Sequence, residues 1–311
     1  MKKDGVIFMR LKPKCDHESD DFTRLEEKVN GKQREIKPLT DKGKDRIRLE
    51  LDIIKKTNTA KVFLLYDDIM FHLKESGVVF HGIMHCSYVC YLLGLTKVNP
   101  LYYGLPFERY YNEKRRVLPL LNIAVPKGKK ETALRILRET YAPMKICPIV
   151  DGENRYVFVN QDGEWTEEDC YRQKLYTFIL EEAEMKEYRQ FTEEEIYQKA
   201  LEYFSRRNIS LGGRYQGDKQ AEKIFSKTDG RYIYQEQFFE VCEKILGVSN
   251  KQADEFRKKL AFRKREDRDA IKQFFCWKLD EEGDRLFDYI YFGHIYAVSK
   301  AYIIGLLFLD L

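Results

Sequence analysis

Between Arg116 and Pro126 the chain runs through Leu118-Pro119-Leu120-Leu121-Asn122-Ile123-Ala124-Val125, in which Asn122 is the one polar side chain. A strand apolar on alternate residues can face water on one side. One apolar on both sets needs cover on both, so Leu118 to Val125 reads as a buried strand. The cover must come from the rest of the chain. Its 311 residues are 43% hydrophobic and 14% aromatic with 34% charged, enough for a packed core and a charged exterior, and disorder is excluded as the main state.

Periodicity places elements around that strand. Phe22 to Val29 reads as a short helix behind a cap-like polar stretch, and Thr40 to Lys56 as a second, with Ile47, Leu49, Leu51 and Ile54 recurring at helical spacing. Val62 to Glu75 is a third, closed by Ser76-Gly77. Val78 to Phe80 is a short strand, and Ser87 to Leu93 a helix stopped by Gly94. A basic helix is expected over Lys129 to Thr140. Ala142-Pro143 and Cys147-Pro148 mark a boundary, followed by a hairpin of Arg155 to Val159 with Glu164-Trp165 around Asn160-Gln161-Asp162-Gly163. From there the pattern is almost wholly helical, with capping-box signals at Thr192-x-x-Glu195 and Ser249-x-x-Gln252. The fold class expected is α+β, with an α+β domain over 1–150 and a mostly helical domain over 151–311.

Charge is strongly segregated although the net value is only +4. Lys114 to Arg138 holds eight bases and one acid, a local +7. Asp162 to Glu195 holds twelve acids and four bases, a local −8. Lys251 to Arg268 holds eight bases and four acids. Two basic stretches divided by an acidic one fit two surfaces that meet a polyanion, or else solvated helix faces. Seven scattered cysteines form no disulfide framework and fit reduced thiols. The amino terminus has no secretory pattern, and the apolar stretch Ala301 to Leu309 is too short to span a bilayer. A cytoplasmic protein without a membrane partner is expected.

Three segments, in one order along the chain, resemble the alpha subunit of bacterial DNA polymerase III, the family C replicative polymerase. Val62-Phe63-Leu64-Leu65-Tyr66-Asp67-Asp68-Ile69 through Lys74-Glu75-Ser76-Gly77 is similar to the palm helix YFLIVWDFV...AKENGI. It continues in Ser87 to Thr96, similar to GSLVAYALGIT, and in Asn99-Pro100-Leu101 with Phe107-Glu108-Arg109-Tyr110-Tyr111-Asn112, similar to DPL...FERFLN. Tyr234-Gln235-Glu236-Gln237-Phe238 with Ala253-Asp254-Glu255-Phe256-Arg257-Lys258 resembles the fingers signature YQEQVM...ADLLRRAMGKK. Gly293-His294-Ile295-Tyr296-Ala297 resembles SHAxAYA. The resemblance implies a polymerase family C palm-like, nucleotidyltransferase-type α+β domain followed by a fingers-like domain, with the thumb missing or collapsed into Tyr141 to Arg155. It also implies a core reduced from both ends, without the family's flanking modules.

The departures fall where the chemistry belongs. The family strand P-D-F-D-x-D-F supplies aspartates for two Mg²⁺ ions, which need several fixed anionic oxygens. Here it reads Pro119-Leu120-Leu121-Asn122-Ile123-Ala124-Val125, with Asn122 and Ala124 as the degenerate catalytic positions. The family loop resembling GRGSGAGS lets backbone N–H groups approach a triphosphate. The loop His81 to Ser87 keeps only Gly82 and Ser87 of it, which with Arg109 form the expected phosphate-binding remnant. A third family aspartate has no clear counterpart, Asp151 and Asp162 being the nearest candidates.

Other patterns admit plainer readings. Tyr66-Asp67-Asp68 invites comparison with a catalytic reverse-transcriptase turn, but its surroundings are helical, so it reads as a helix face with Asp67 solvated. His81, His85, Cys86 and Cys90 sit at zinc-like spacings but match no known finger, so no metal site is expected. His294 is expected to be structural.

Lys114, Arg115, Arg116, Lys127, Lys129, Lys130, Arg257, Lys258, Lys259 and Arg263 are the candidate nucleic-acid contacts. The reading is a catalytically inactive relative of the polymerase that binds DNA or a replication partner, with no cofactor. Two alternatives stand beside it. One is an active nucleotidyltransferase using replacement carboxylates and Mg²⁺. The other is a protein–protein module docking a partner or a second copy through the apolar carboxy terminus, Tyr302 to Leu311.

Overall fold

The structure, a computed structural model, describes residues 21–35, 40–114, 118–142, 145–149, 154–159 and 177–310. Arg115, Arg116, Asp151, Asp162 and the expected second hairpin arm at Glu164-Trp165 lie outside them. The chain divides into two compact units. One comprises Met1–Leu101, Tyr110–Met185 and Leu309–Leu311, the other Tyr102–Arg109 and Lys186–Phe308.

The first unit is built on a mixed sheet. Its strands are β1 (Val79–His81), β2 (Leu121–Pro126), β3 (Lys145–Pro148), β4 (Arg155–Val159), β5 (Thr177–Met185) and β6 (Leu309–Asp310). They lie in the order β1-β2-β5-β4-β3, with β6 pairing the far end of β5. β2 runs antiparallel to β1 and parallel to β5, so the apolar run occupies an interior position in the sheet. Leu121, Ile123 and Val125 point to the same side as Phe80, Phe178, Leu180, Tyr156 and Phe158, all buried.

Four helices, α1 (Asp21–Glu35), α2 (Asp41–Lys56), α3 (Ala60–Leu73) and α4 (Tyr88–Leu92), precede β2, and α7 (Lys130–Thr140), which follows it, packs on that side, with Tyr141 at its end against Phe158. Two four-residue turns of helix, α5 (Pro100–Tyr103) and α6 (Phe107–Tyr110), lie between α4 and β2. α7 touches α3, β2, β3 and β5. Tyr66, on the buried side of α3, donates its hydroxyl to the carbonyl of Pro119 just before β2. Tyr141, at the end of α7, donates to Asp68 Oδ2 at 2.7 Å, and this bond together with burial pushes its phenol pKa up. Tyr66-Asp67-Asp68 is thus part of a helix, and Asp67, expected to be solvated, is ion-paired with Lys28.

The second unit is helical: α8 (Glu193–Arg206), α9 (Lys219–Phe225), α10 (Gln235–Lys244), α11 (Asn250–Phe262), α12 (Arg265–Gly293) and α13 (Lys300–Phe308). Thr192 and Glu195 close the expected capping box, and Ser249 caps the Gln252 N–H. α12 is a hairpin. It breaks at Asp280, which takes φ 50° and ψ −132°, and folds back so that Lys272 reaches Asp284 and Asp288 at 2.8 Å and Phe275 packs on Phe287. Gly283 sits so close to the carbonyl of Phe275 that no Cβ fits there. The core gathers Phe225, Phe238, Phe275, Leu286, Phe287 and Ile290.

Two expectations change. The boundary expected after residue 150 falls instead at Met185, because β4 and β5 return to the sheet of the first unit, and residues 102–109 belong with the second. Pairing between strands more than fifty residues apart leaves no local mark for composition to show. The apolar carboxy terminus is not a free docking surface: Ala301, Ile303, Ile304, Phe308 and Leu309 are buried, α13 packs against α8, and β6 pairs with β5. Among the described residues no helix is long and apolar enough to cross a membrane, and Cys86, Cys90, Cys147, Cys242 and Cys276 are free thiols.

The position of α4 in the first unit depends on a buried carboxylate. Glu50 has no exposure and accepts hydrogen bonds from Ser87 Oγ at 2.8 Å, Tyr88 N at 2.7 Å, Val89 N at 2.9 Å and Arg46 Nε at 2.6 Å. Glu50→Ala strands all four donors, one of them a guanidinium. It is expected to cost about 3–5 kcal/mol, read as a lower midpoint in urea unfolding.

Candidate functional site

Strand alternation sets which side chains share the sheet face opposite α7. On β2 these are Asn122 and Ala124, the positions singled out from sequence. Register puts His81 of β1 beside Asn122, and Glu181 of β5 beside Ala124. His81 is 2% exposed, and its Nε2 lies 3.0 Å from Glu181 Oε1 without forming an aligned hydrogen bond. Asn122 Oδ1 is buried without a hydrogen-bond partner, and the Asn122 amide packs against Gly82, where a Cβ would come within 2.8 Å of Nδ2. Glu181 was not anticipated. The signal for it, an acid opposite Ala124, exists only once β2 and β5 are known to be parallel neighbours.

This face does not fit two divalent cations. Two such ions need several fixed anionic oxygens. On the described strands here, His81, Asn122 and Ala124 offer none, and Glu181 offers one carboxylate beside an imidazole. Among all the described residues no three His, Cys, Asp or Glu side chains are grouped to hold a metal ion.

The loop expected to retain part of a phosphate cradle is a 3-10 turn, Gly82–Cys86, entered by Gly82 at φ 79°. Its continuation into α4 is already occupied by an anion. Glu50 takes the Ser87 hydroxyl and the first N–H groups of α4, while Ser87 Oγ also accepts from Cys90 N at 3.1 Å. Ser87 therefore serves an internal carboxylate. His85 Nδ1 lies 2.6 Å from Thr96 Oγ1, and burial pushes the Cys90 thiol pKa up, so the histidine–cysteine run is packed interior.

The motifs of the second unit are structural connectors. Gln235 Oε1 accepts from Arg109 Nε at 2.7 Å, and Gln235 Nε2 donates to the carbonyl of Ala297 at 2.9 Å. Glu236, buried, accepts from Ser299 Oγ at 2.8 Å and Lys300 N at 2.7 Å. Gln237 Oε1 accepts the N–H groups of Ile233 and Tyr234, and its Nε2 donates to Thr228 Oγ1. Arg109, expected in a phosphate remnant, is thus engaged with α10. His294 has a positioning role: its Nε2 meets the carbonyl of Arg257 at 2.9 Å, which requires the proton on Nε2 and leaves Nδ1 to accept from the Tyr232 hydroxyl at 3.1 Å.

The basic candidates separate by their partners. Arg257 and Lys258 both hold the buried Asp254, at 2.8 Å and 2.7 Å. Lys259 lies 3.2 Å from Asp267. Arg263 stacks over the Tyr291 ring at 5.4 Å. In the first unit Lys130 Nζ donates to Asn154 Oδ1 at 2.6 Å, and the backbone of Lys114 is fixed by Asn112 Oδ1 at 3.1 Å. Lys127 and Lys129 are exposed in the turn between β2 and α7. That turn is itself closed by Glu182, which accepts from Gly128 N at 2.8 Å.

Comparison with known proteins matches the chain in two blocks. Residues 22–155 match the family model described as the bacterial DNA polymerase III alpha NTPase domain, and residues 184–283 match that of the alpha subunit finger domain. The chain is 32% identical over 111 residues to the error-prone DNA polymerase of Cutibacterium acnes, covering 35% of this chain and 10% of that protein. It is 32% identical over 108 residues to DNA polymerase III subunit alpha of Bacillus subtilis, covering 34% and 10%. With the corresponding protein of Mycoplasma genitalium it shares 29% over 129 residues, 38% and 15%. The matched segment thus spans about a tenth of the length of the first relatives.

The two buried histidines make stability depend on pH. Burial lowers the pKa of His85 from 6.5 to about 3 and that of His294 to about 4. Both are neutral in the native state, whereas an unfolded histidine protonates near pH 6.5. Their contribution is therefore complete above about pH 6.5 and is lost as pH falls toward those values, by about 1.4 kcal/mol per pH unit for each. Urea midpoints measured from pH 7.5 down to 4.5 should hold level to about pH 6.5 and fall below it, and His294→Gln should flatten the decline.

Proposed function

Since the chain belongs to the bacterial DNA polymerase III alpha-subunit family, we propose that it keeps the palm and fingers scaffold, has lost nucleotidyl transfer, and binds DNA. The observation that carries this reading is the sheet face at β2. Transfer of a nucleotidyl group depends on metal ions held against the attacking hydroxyl and the triphosphate. Asn122 and Ala124 cannot carry the charge to hold them, and Glu181 beside His81 is a single carboxylate. The loop that could cradle phosphate is filled by Glu50.

DNA is the ligand favoured by the basic stretch around β2. Lys127 and Lys129 are exposed there. The protein works in the cytoplasm without a cofactor in this reading, and a replication protein is the alternative partner. One observation favours a second reading: Glu181 at the register of Ala124 keeps one carboxylate at the face, so a member that still extends primers with Mg²⁺ would use it.

A fluorescent primer–template duplex titrated at several salt concentrations tests the first reading. Affinity should fall with salt, and Lys127→Ala and Lys129→Ala should each reduce the slope of log affinity against log salt by about 0.9. No primer extension should occur with Mg²⁺ or Mn²⁺. Absence of binding at low salt would overturn the DNA reading. Metal-dependent extension that Glu181→Gln abolishes would establish the second.

A further inference from the structure

The turn between α11 and α12 exposes what a core-building segment hides. Phe262 ends α11 with 78% of its surface exposed, and Phe292, near the end of α12, is 70% exposed. They are linked through one ring, that of Tyr291. Arg263 follows Phe262 and lies over the ring of Tyr291 at 5.4 Å, and Tyr291 contacts Phe292 at 6.1 Å between ring centroids. Arg268 approaches the same tyrosine ring at 6.0 Å.

Two features set this cluster apart from scattered surface aromatics. Arg263 and Lys264 are both exposed, and neither has a carboxylate partner among the described residues. The nearby acids are engaged elsewhere: Asp267 with Lys259, and Asp269 with Arg268 and Arg265, leaving Glu266 as the exposed acid of the turn. Secondly, Arg263 takes φ 52°, a left-handed conformation that glycine adopts without steric cost and arginine does not. A side chain held there against that cost ends in a guanidinium stacked on Tyr291.

We propose that this turn is a base-stacking platform for single-stranded nucleic acid, with Phe262 and Phe292 taking bases and Arg263 and Lys264 taking the backbone phosphates. The proposal rests on the DNA reading above and adds the form of the strand. Exposed aromatic faces and unpaired cations together suit a polymer that carries flat apolar bases along an anionic backbone. A duplex hides its base faces in the stack and offers only the phosphates.

Anisotropy of a labelled oligothymidylate, an abasic oligomer of equal length and a blunt duplex tests this. Phe262→Ala combined with Phe292→Ala should weaken oligothymidylate binding about ten-fold or more and leave the abasic oligomer unchanged. Arg263→Ala should weaken both and reduce the single-strand salt slope by about 0.7. Trp277→Ala, which removes an exposed aromatic near the bend of the α12 hairpin, should change neither. The altered side chains are exposed, and thermal unfolding of each variant, with Phe292→Ala alone as a milder change, reports its folding.

The inference is overturned if the double variant binds oligothymidylate like the unaltered protein, if the abasic oligomer binds equally well, or if Trp277→Ala costs as much as the double change. Binding of duplex without oligothymidylate overturns it while the DNA reading stands. No binding of any of the three polymers overturns both.

Discussion

Each unit depends on a buried glutamate placed at the start of a helix. Glu50 accepts the Ser87 hydroxyl and the N–H groups of Tyr88 and Val89, and Glu236 accepts the Ser299 hydroxyl and the N–H of Lys300. The donors at a helix start have no partner within the helix, and a carboxylate satisfies several while favouring the positive end of the dipole. Both carboxylates are removed from water, so the arrangement is stable only when every donor is in place. This makes the glutamates organising centres. α4 is located relative to α2 through Glu50, and α13 relative to α10 through Glu236.

The same interaction has a consequence for chemistry. A helix start that binds an internal carboxylate is unavailable to a phosphate, because the two anions would compete for one set of N–H groups. At α4 the internal anion holds the position. The neighbouring strand shows a matching change of character, with Asn122 and Ala124 in a sheet whose other side is solid core. His81 then lies against a carboxylate, Glu181. The low charge of the described face and the occupancy of the loop by Glu50 thus point the same way.

The basic residues illustrate how a charge run differs from a charged surface. Arg257 and Lys258 belong to a strongly basic run by sequence, yet both converge on buried Asp254 and help hold α11 in place. Arg263, a few residues on, has no such partner among the described residues and lies over an aromatic ring at the surface. Their residue types are alike. Their roles are set by whether the fold brings a carboxylate within reach.

Much of the fold was legible in the amino-acid order. The helical periods over Thr40 to Lys56 and Lys129 to Thr140, the capping signals at Thr192 and Ser249, and the apolar run into β2 are local, and local rules read them correctly. The family was legible for the same reason, since its signatures are contiguous. What tertiary structure alone decided lies between distant residues: β5 joining β2 so that Glu181 faces Ala124, and Arg109 reaching Gln235. It also decided which basic side chains found acids. Propensity and pattern act over a few residues, whereas strand partners and ion pairs are chosen by how the packed core brings together segments far apart in sequence.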